Sequence, residues 1–231
     1  AIQEEELEEI AGLLRDYRGV LTVGFNRRFS PLARVFRQRL QERRQPLVIS
    51  YRFLTPAIPR GHEQDWVHDP EVGGGRIVGE VCHMVDLASF LVGSEVKTVY
   101  AVSLAGEAGN LSNYDTVQVA LRYADGSFAQ LVYAANSDSS LPQERIELFW
   151  EGAYGLIDNF RRGLHSREGA RKRFRTWSQQ KGWKEEIHAF LEAVRQGAPP
   201  IAYASLIETT RVTFLIHRSL ETGRIMDVPA S

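Results

Sequence analysis

Four ionisable residues, Arg76, Glu80, His83 and Asp86, interrupt an otherwise apolar run from Arg76 to Val92. The run has the length and composition of a buried helix, and Gly93 closes it. At a helical advance of about 100° per residue, the four fall within a sector of about 120°. Gly79 shares that sector and, having no side chain, leaves room beside it. Imidazole titrates near neutral pH, so His83 facing a cleft would serve as a general acid or base. The alternative is local satisfaction: Arg76 pairs with Glu80 at i,i+4 and His83 with Asp86 at i,i+3. Either way partners are required, because unpaired buried charge is costly.

Three further groups carry polar chemistry. Asn26, Arg27 and Arg28 follow the apolar run Val20 to Phe25, and the planar fork of arginine suits carboxylate or phosphate oxygens. Their plainer role is a solvated pair at the start of the next helix. Trp66 and Asp69 lie on a long loop, residues 56 to 75, where an exposed indole would stack on a sugar ring or simply pack. His62, Asp65, His68 and Asp69 bring nitrogen and oxygen donors together, but loop spacing does not define coordination geometry, so no metal is expected. The stretch Arg161 to Arg175 holds seven Arg or Lys against one Glu. Such a run would suit an acidic ligand, although a solvated hairpin edge that deters strand pairing explains it better.

These residues must be held by a framework that the pattern also indicates. Leu7, Ile10, Ala11, Leu14 and Tyr17 form one face of an N-terminal helix with an acidic first half. Val20 to Phe25 is expected to be a short buried strand. Ser30-Pro31 then opens a second helix, with Ser30 as its cap. Strands are expected at Leu47 to Leu54, Val96 to Leu104, Thr116 to Tyr123, Phe128 to Ala134 and Arg145 to Trp150, with another ending near Ile157. Ala124-Asp125-Gly126-Ser127 is a hairpin connection. Two helices close the chain, one marked by Trp183, Ile187, Phe190, Leu191 and Val194, the other spanning Leu206 to Leu220. Val117, Val119 and Leu121 alternate with Thr116, Gln118 and Ala120, as in a sheet with unequal faces. The expected fold class is α+β: an open, mainly antiparallel sheet with helices packed on one face.

Composition narrows the function. The 231 residues are 43% hydrophobic, enough for a core that needs no disulfide or metal staple. With 28 basic and 29 acidic side chains, the balance lacks the excess positive charge of a nucleic-acid binder. One cysteine, Cys82, rules out an internal disulfide and fits a reducing, cytoplasmic setting. No apolar run approaches the roughly 18 residues of a membrane span. A dinucleotide fingerprint is missing: Gly73, Gly75 and Gly79 give G-x-G-x-x-x-G after a proline-containing loop, not G-x-G-x-x-G after a strand.

Three ordered motifs then carry a resemblance. Residues 23–31, VGFNRRFSP, resemble the start of the C-terminal domain of the glucose–fructose oxidoreductase/inositol dehydrogenase (Gfo/Idh/MocA) family. Residues 69–86, DPEVGGGRIVGEVCHMVD, resemble that family's GGG…H-x-x-D helix, and Asp115 to Phe128 its D-T-x-x-x-x-L-R-Y-A-D-G-S hairpin. Trp183 to Gly197 and Ala202 to Gly223 complete the likeness.

The resemblance implies an NAD(P)-dependent oxidoreductase acting on a sugar, polyol or nucleotide sugar by hydride transfer. It implies that residues 1–231 are a single substrate-binding and oligomerisation domain. The N-terminal Rossmann domain, with its Lys-Pro motif and catalytic lysine, would be absent from this chain. NAD or NADP would bind mainly there, leaving none expected on this chain alone and the isolated chain inactive. His83 would be catalytic, with Asn26, Arg27, Arg28, Trp66, Asp69 and Glu80 contacting substrate. A homo-oligomer would form through the sheet, and the parent would fall nearest a branch fused to a zinc-type alcohol dehydrogenase-like module. One departure stands out: the family's Asp four residues before the histidine is Gly79 here, and Glu80 lies about 100° further round the helix. A non-catalytic binding or assembly module of the same fold is the alternative.

Overall fold

The structure is a computed structural model that describes all residues except 59–61, 64, 70, 105–115 and 230–231, and the side chains of Asp65 and His68. Helix α1 is Glu4–Leu14, with three glutamates in its first turn where the helix dipole favours them. A 3₁₀ turn, Asn26–Phe29, leads into α2, Pro31–Leu40. Strand β1 is Val48–Leu54. After the loop comes a π turn, Ile77–Val81, continuous with α3, Cys82–Val92, which ends on Gly93 at φ 72°. Strands β2 to β8 follow: Val96–Ser103, Thr116–Tyr123, Phe128–Ala134, Glu144–Trp150, Ala153–Asp158, Arg162–Arg167 and Ala170–Arg175. Helices α4, Trp183–Gln196, and α5, Tyr203–Thr222, precede the two-residue β9, Met226–Asp227.

The strands form one open sheet in the order β8-β7-β6-β5-β1-β4-β3-β2-β9. Only β1 and β4 run parallel among the described pairs. Register places Ile146, Tyr51, Leu131, Val119 and Ala101 in one row, all buried. That row meets Leu32, Ala33 and Phe36 of α2, Met84 and Leu87 of α3, and Val212 and Ile216 of α5. Period-2 alternation therefore turns one sheet face wholly towards the helices. Among the described residues nothing covers the opposite face, where Phe128 and Phe149 each pair with Val48 and are each more than 40% exposed. The expected α+β architecture is the observed one.

Four local expectations are corrected. Val20 to Phe25 joins no strand; tight turns, Phe25 N to the Val23 carbonyl at 2.6 Å and Asn26 N to the Gly24 carbonyl at 2.9 Å, bend its end into the 3₁₀ turn. Ser30 does not cap α2 through its side chain; its Oγ is buried and unpartnered. Trp183, Ile187, Leu191 and Val194 mark α4 as expected, yet they face outward while Ala193 is buried. The helix containing His83 is not a uniform α-helix, since i→i+5 bonding in the π turn widens its first part. The basic run of residues 161–175 is, as expected, a hairpin, β7 and β8, at the sheet's edge.

Candidate active site

Arg76 and Glu80 form the expected i,i+4 pair across the π turn, but His83 and Asp86 do not pair. Arg76 Nε lies 3.4 Å from Glu80 Oε1, and Glu80 Oε2 accepts from the Tyr133 hydroxyl at 2.7 Å. Arg76 also stacks over the Tyr133 ring. Asp86 points elsewhere, accepting from Arg28 Nε at 2.9 Å and from Arg28 Nη2. Asp86 is therefore not the partner of His83. Burial pushes Asp86 up to about 6 even though Arg28 opposes the shift. Gly79 opens onto free space, a Cβ there meeting nothing nearer than the Gly73 carbonyl at 3.8 Å.

His83 sits in the first turn of α3, with the Phe25 ring edge-on at 5.8 Å. Its Nδ1 is buried without a hydrogen-bond partner. Burial first, then the positive charges of Arg27 and Lys181, lower its pKa to about 3 despite Glu144. The imidazole is neutral at neutral pH, so it can accept a hydrogen bond and has no imidazolium proton to give. Neighbouring Cys82 stays a thiol, pushed up to about 12 by burial and Asp86.

The charges acting on His83 come from a buried cluster whose members lie far apart in sequence. Arg27 Nε donates to Glu144 Oε2 at 2.8 Å, and Lys181 Nζ lies 2.7 Å from Glu144 Oε1. Tyr51 donates its hydroxyl to the same carboxylate, and Lys181 reaches Gln143 Oε1 at 2.6 Å. Arg27 and Lys181 both lie over the Phe53 ring, at 5.4 and 5.8 Å. Burial alone would raise Glu144, but Arg27 and Lys181 reverse the sign and hold it below its ordinary value. Burial likewise opposes the Arg27 charge, and Glu144 more than offsets it. Two cations face one carboxylate, leaving an excess positive charge beside His83.

Backbone geometry locks this cluster in place. Asn26 Nδ2 donates to the Lys181 carbonyl at 3.0 Å. Gly182 adopts φ 94°, and a Cβ there would stand 2.3 Å from the Asn26 carbonyl oxygen and 2.5 Å from Ser30 N. Only glycine permits both the conformation and the approach. The middle of β1 carrying Tyr51, the first residue of β5, the 3₁₀ turn and the segment before α4 thus converge beside His83.

The structure divides the expected site residues. It brings Asn26 and Arg27 together with His83, sends Arg28 to Asp86 and Ser205, and engages Glu80 with Arg76 and Tyr133. Trp66 is 57% exposed and lies against Gly73. Asp69 organises its own turn, accepting Glu71 N at 2.8 Å. Among the described residues no group of three side chains is placed to hold a metal; the side chains of Asp65 and His68 lie outside them, as does Asp115 of the hairpin motif.

The comparisons with known proteins bear on this arrangement. Residues 45–153 match the model of the GFO/IDH/MocA C-terminal domain. Over that segment the chain is a Gfo/Idh/MocA C-terminal domain. It is 27% identical over 198 residues to a myo-inositol 2-dehydrogenase of Thermotoga maritima, covering 78% of this chain and 56% of that protein. It is also 27% identical over 162 residues to the uncharacterized oxidoreductase YrbE of Bacillus subtilis, covering 68% of this chain and 46% of that protein. The chain thus spans about half the length of the curated relatives it matches. Among solved structures, a levoglucosan dehydrogenase in complex with NADH and levoglucosan shares the fold at TM-score 0.84 and 18% identity, over 100% of this chain and 72% of that one. A UDP-N-acetylglucosamine 3-dehydrogenase from Acidithiobacillus ferrooxidans does so at 0.75 and 20%, over 96% and 68%.

Among the described residues, the glycines after the long loop do not form a Rossmann-type phosphate-binding turn. Gly73, Gly75 and Gly79 lead from a loop into the π turn, and no strand precedes them to present a phosphate-binding turn. Three members of the His83 cluster escaped the sequence: Tyr51, Glu144 and Lys181. Glu144 stands just before the strand expected from Arg145 and Lys181 before a helix-opening glycine, but neither position identifies its partner.

Proposed function

We propose that this chain is the substrate-facing and assembly part of an NAD(P)-dependent oxidoreductase acting on a sugar, polyol or nucleotide sugar. The observation that carries the reading is the neutral, partly buried imidazole of His83 beside an excess of positive charge from Arg27 and Lys181. A neutral imidazole accepts a hydrogen bond from a substrate hydroxyl, and the adjacent positive charge, which opposes an imidazolium, favours the alkoxide character that develops as hydride leaves the carbinol carbon. Asn26 and Arg27, buried and held by the Lys181 carbonyl and Glu144, orient the charged cluster beside His83. The relatives named above, which act on inositol, levoglucosan and a nucleotide sugar according to their names, support the substrate class.

The dinucleotide is assigned to the remainder of the parent polypeptide, since the glycines after the long loop form no Rossmann-type turn for it. When bound it supplies the hydride acceptor; Asn26 and Arg27 contribute orientation of the cluster, and His83 a hydrogen-bond acceptor for the substrate hydroxyl. The uncovered sheet face is assigned to a second copy of the chain. Phe128, Val48, Phe149 and Tyr154 form a register-aligned apolar row across it, with Phe149 and Tyr154 ring centroids 5.4 Å apart.

The test is nicotinamide absorbance with the parent polypeptide across sugars, polyols and nucleotide sugars. Turnover of at least one of them is expected. Absence of turnover across the panel, with both NAD and NADP, favours the non-catalytic assembly module instead.

A further inference from the structure

A cleft of about 650 Å³ opens between α2, α3 and α5, and none of His83, Arg27, Glu144 or Lys181 lines it. Its walls include Arg28, Arg34, Arg37, Phe90, Glu95 and Glu208. Most of these charges are already engaged. Arg28 is held by Asp86, Glu95 accepts from Lys97 Nζ at 2.8 Å, and Glu208 Oε1 accepts from Val96 N at 2.6 Å.

Arg37 differs. Its guanidinium lies over the Phe90 ring at 5.9 Å and against the α-carbon of Gly93, where any Cβ would come within 2.4 Å of Nη2. Among the described residues no carboxylate pairs with it. Burial and the like charge of Arg43 both work against its charged form. Arg34, one turn earlier at i−3 on the same helix, stacks on Phe29 and also has no carboxylate partner among the described residues. Two uncompensated guanidinium groups therefore project from one helix face into a cleft large enough for a metabolite.

We propose that this cleft binds the phosphoryl group of a small phosphorylated metabolite, anchored by Arg37 and Arg34. A carboxylate offers two oxygens, which one arginine fork occupies; a phosphoryl group offers three and can engage two forks together. The volume beyond the arginines accommodates a body of hexose size, facing the Glu95 and Glu208 end where hydroxyl donors find acceptors. The site is separate from the His83 cluster, so its ligand is not the substrate assigned above.

The test is isothermal titration calorimetry of the chain at fixed ionic strength with glucose 6-phosphate, inorganic phosphate, gluconate and glucose. Glucose 6-phosphate is expected to saturate one site with a dissociation constant of roughly 1 mM or below, and glucose to give no saturable heat. Arg37→Gln should weaken that binding at least about tenfold, the loss of one charge-assisted contact. Arg34→Gln, at an exposed position, should weaken it in the same direction while leaving thermal unfolding of the free protein unchanged. Absence of saturable binding by both phosphate probes overturns the proposal. So does undiminished binding in the folded Arg37→Gln and Arg34→Gln proteins, or gluconate binding as tightly as glucose 6-phosphate.

Discussion

Arg27 donates to Glu144 at 2.8 Å across 117 residues of sequence, and that bond ties the turn before α2 to the first residue of β5. Glu144 is fully buried and faces a second cation, Lys181. One carboxylate thus neutralises two positive groups only in part, and the remainder acts on His83.

Glu144→Gln should be severely destabilising. The amide leaves Arg27 and Lys181 buried without a counter-charge, a change that typically costs about 3–5 kcal/mol. Urea unfolding of the variant should show that loss, and a loss below about 1 kcal/mol would mean the cluster relaxes into water. Replacing Lys181 by Met should cost less, because Glu144 then keeps Arg27 and Tyr51.

The pH dependence of stability has a defined sign. His83 has a folded pKa of about 3, below its ordinary value of 6.5. Between those values the unfolded chain binds a proton that the folded chain refuses, so His83 contributes stability that falls as pH drops from about 6.5 towards 3. Asp86, raised to about 6 from 3.8, acts oppositely: its contribution falls as pH rises through that window. Comparison with His83→Gln isolates the first effect. The variant's stability–pH slope between pH 4 and 6 should be less positive by about one proton, or roughly 1.4 kcal/mol per pH unit. Identical slopes would contradict the burial of a neutral imidazole.

Gly182→Ala should disturb the site from outside it. The new methyl group would lie 2.3 Å from the Asn26 carbonyl at φ 94°, so the Lys181 carbonyl must retreat from Asn26 Nδ2. A cost of about 1–3 kcal/mol follows, which at roughly 2–4 °C per kcal/mol is readily seen in thermal unfolding. Gly197→Ala is the matched control. It has a similar positive φ, 68°, but nothing lies within 4 Å of the added carbon. It should cost less.

Much of the framework was legible because its cause is local. Thr116–Tyr123 and Phe128–Ala134 coincide with the expected strands, since alternation and the Asp125-Gly126 turn fix faces and ends without outside help. Gly93 ended α3 for the same reason. Val20 to Phe25 misled because apolar composition says nothing about whether a strand has a neighbour to pair with. The helical wheel held for the Arg76–Glu80 pair and misled at His83 and Asp86, because Arg28, from a distant segment, takes Asp86 instead. The site was legible only in part. His83 and Arg27 stand in recognisable motifs, whereas Lys181 and Glu144 acquire meaning only when chain folding brings residues 26, 144 and 181 together.

The uncovered sheet face predicts self-association. Light scattering at micromolar concentration should report a homodimer or larger, and Phe149→Glu should shift the protein towards monomer by placing a charge in the Phe128–Val48–Phe149–Tyr154 row. A monomeric wild-type chain would count against this face as the interface.

The most direct measurement is the turnover number of the parent polypeptide with His83 replaced by Gln, on whichever sugar or polyol it oxidises. Glutamine retains a polar side chain but cannot take the proton. A fall of at least about 100-fold in kcat, with unfolding behaviour showing an intact core, is the predicted result. Unchanged kcat would contradict the catalytic assignment and leave His83 as a packing residue against Phe25.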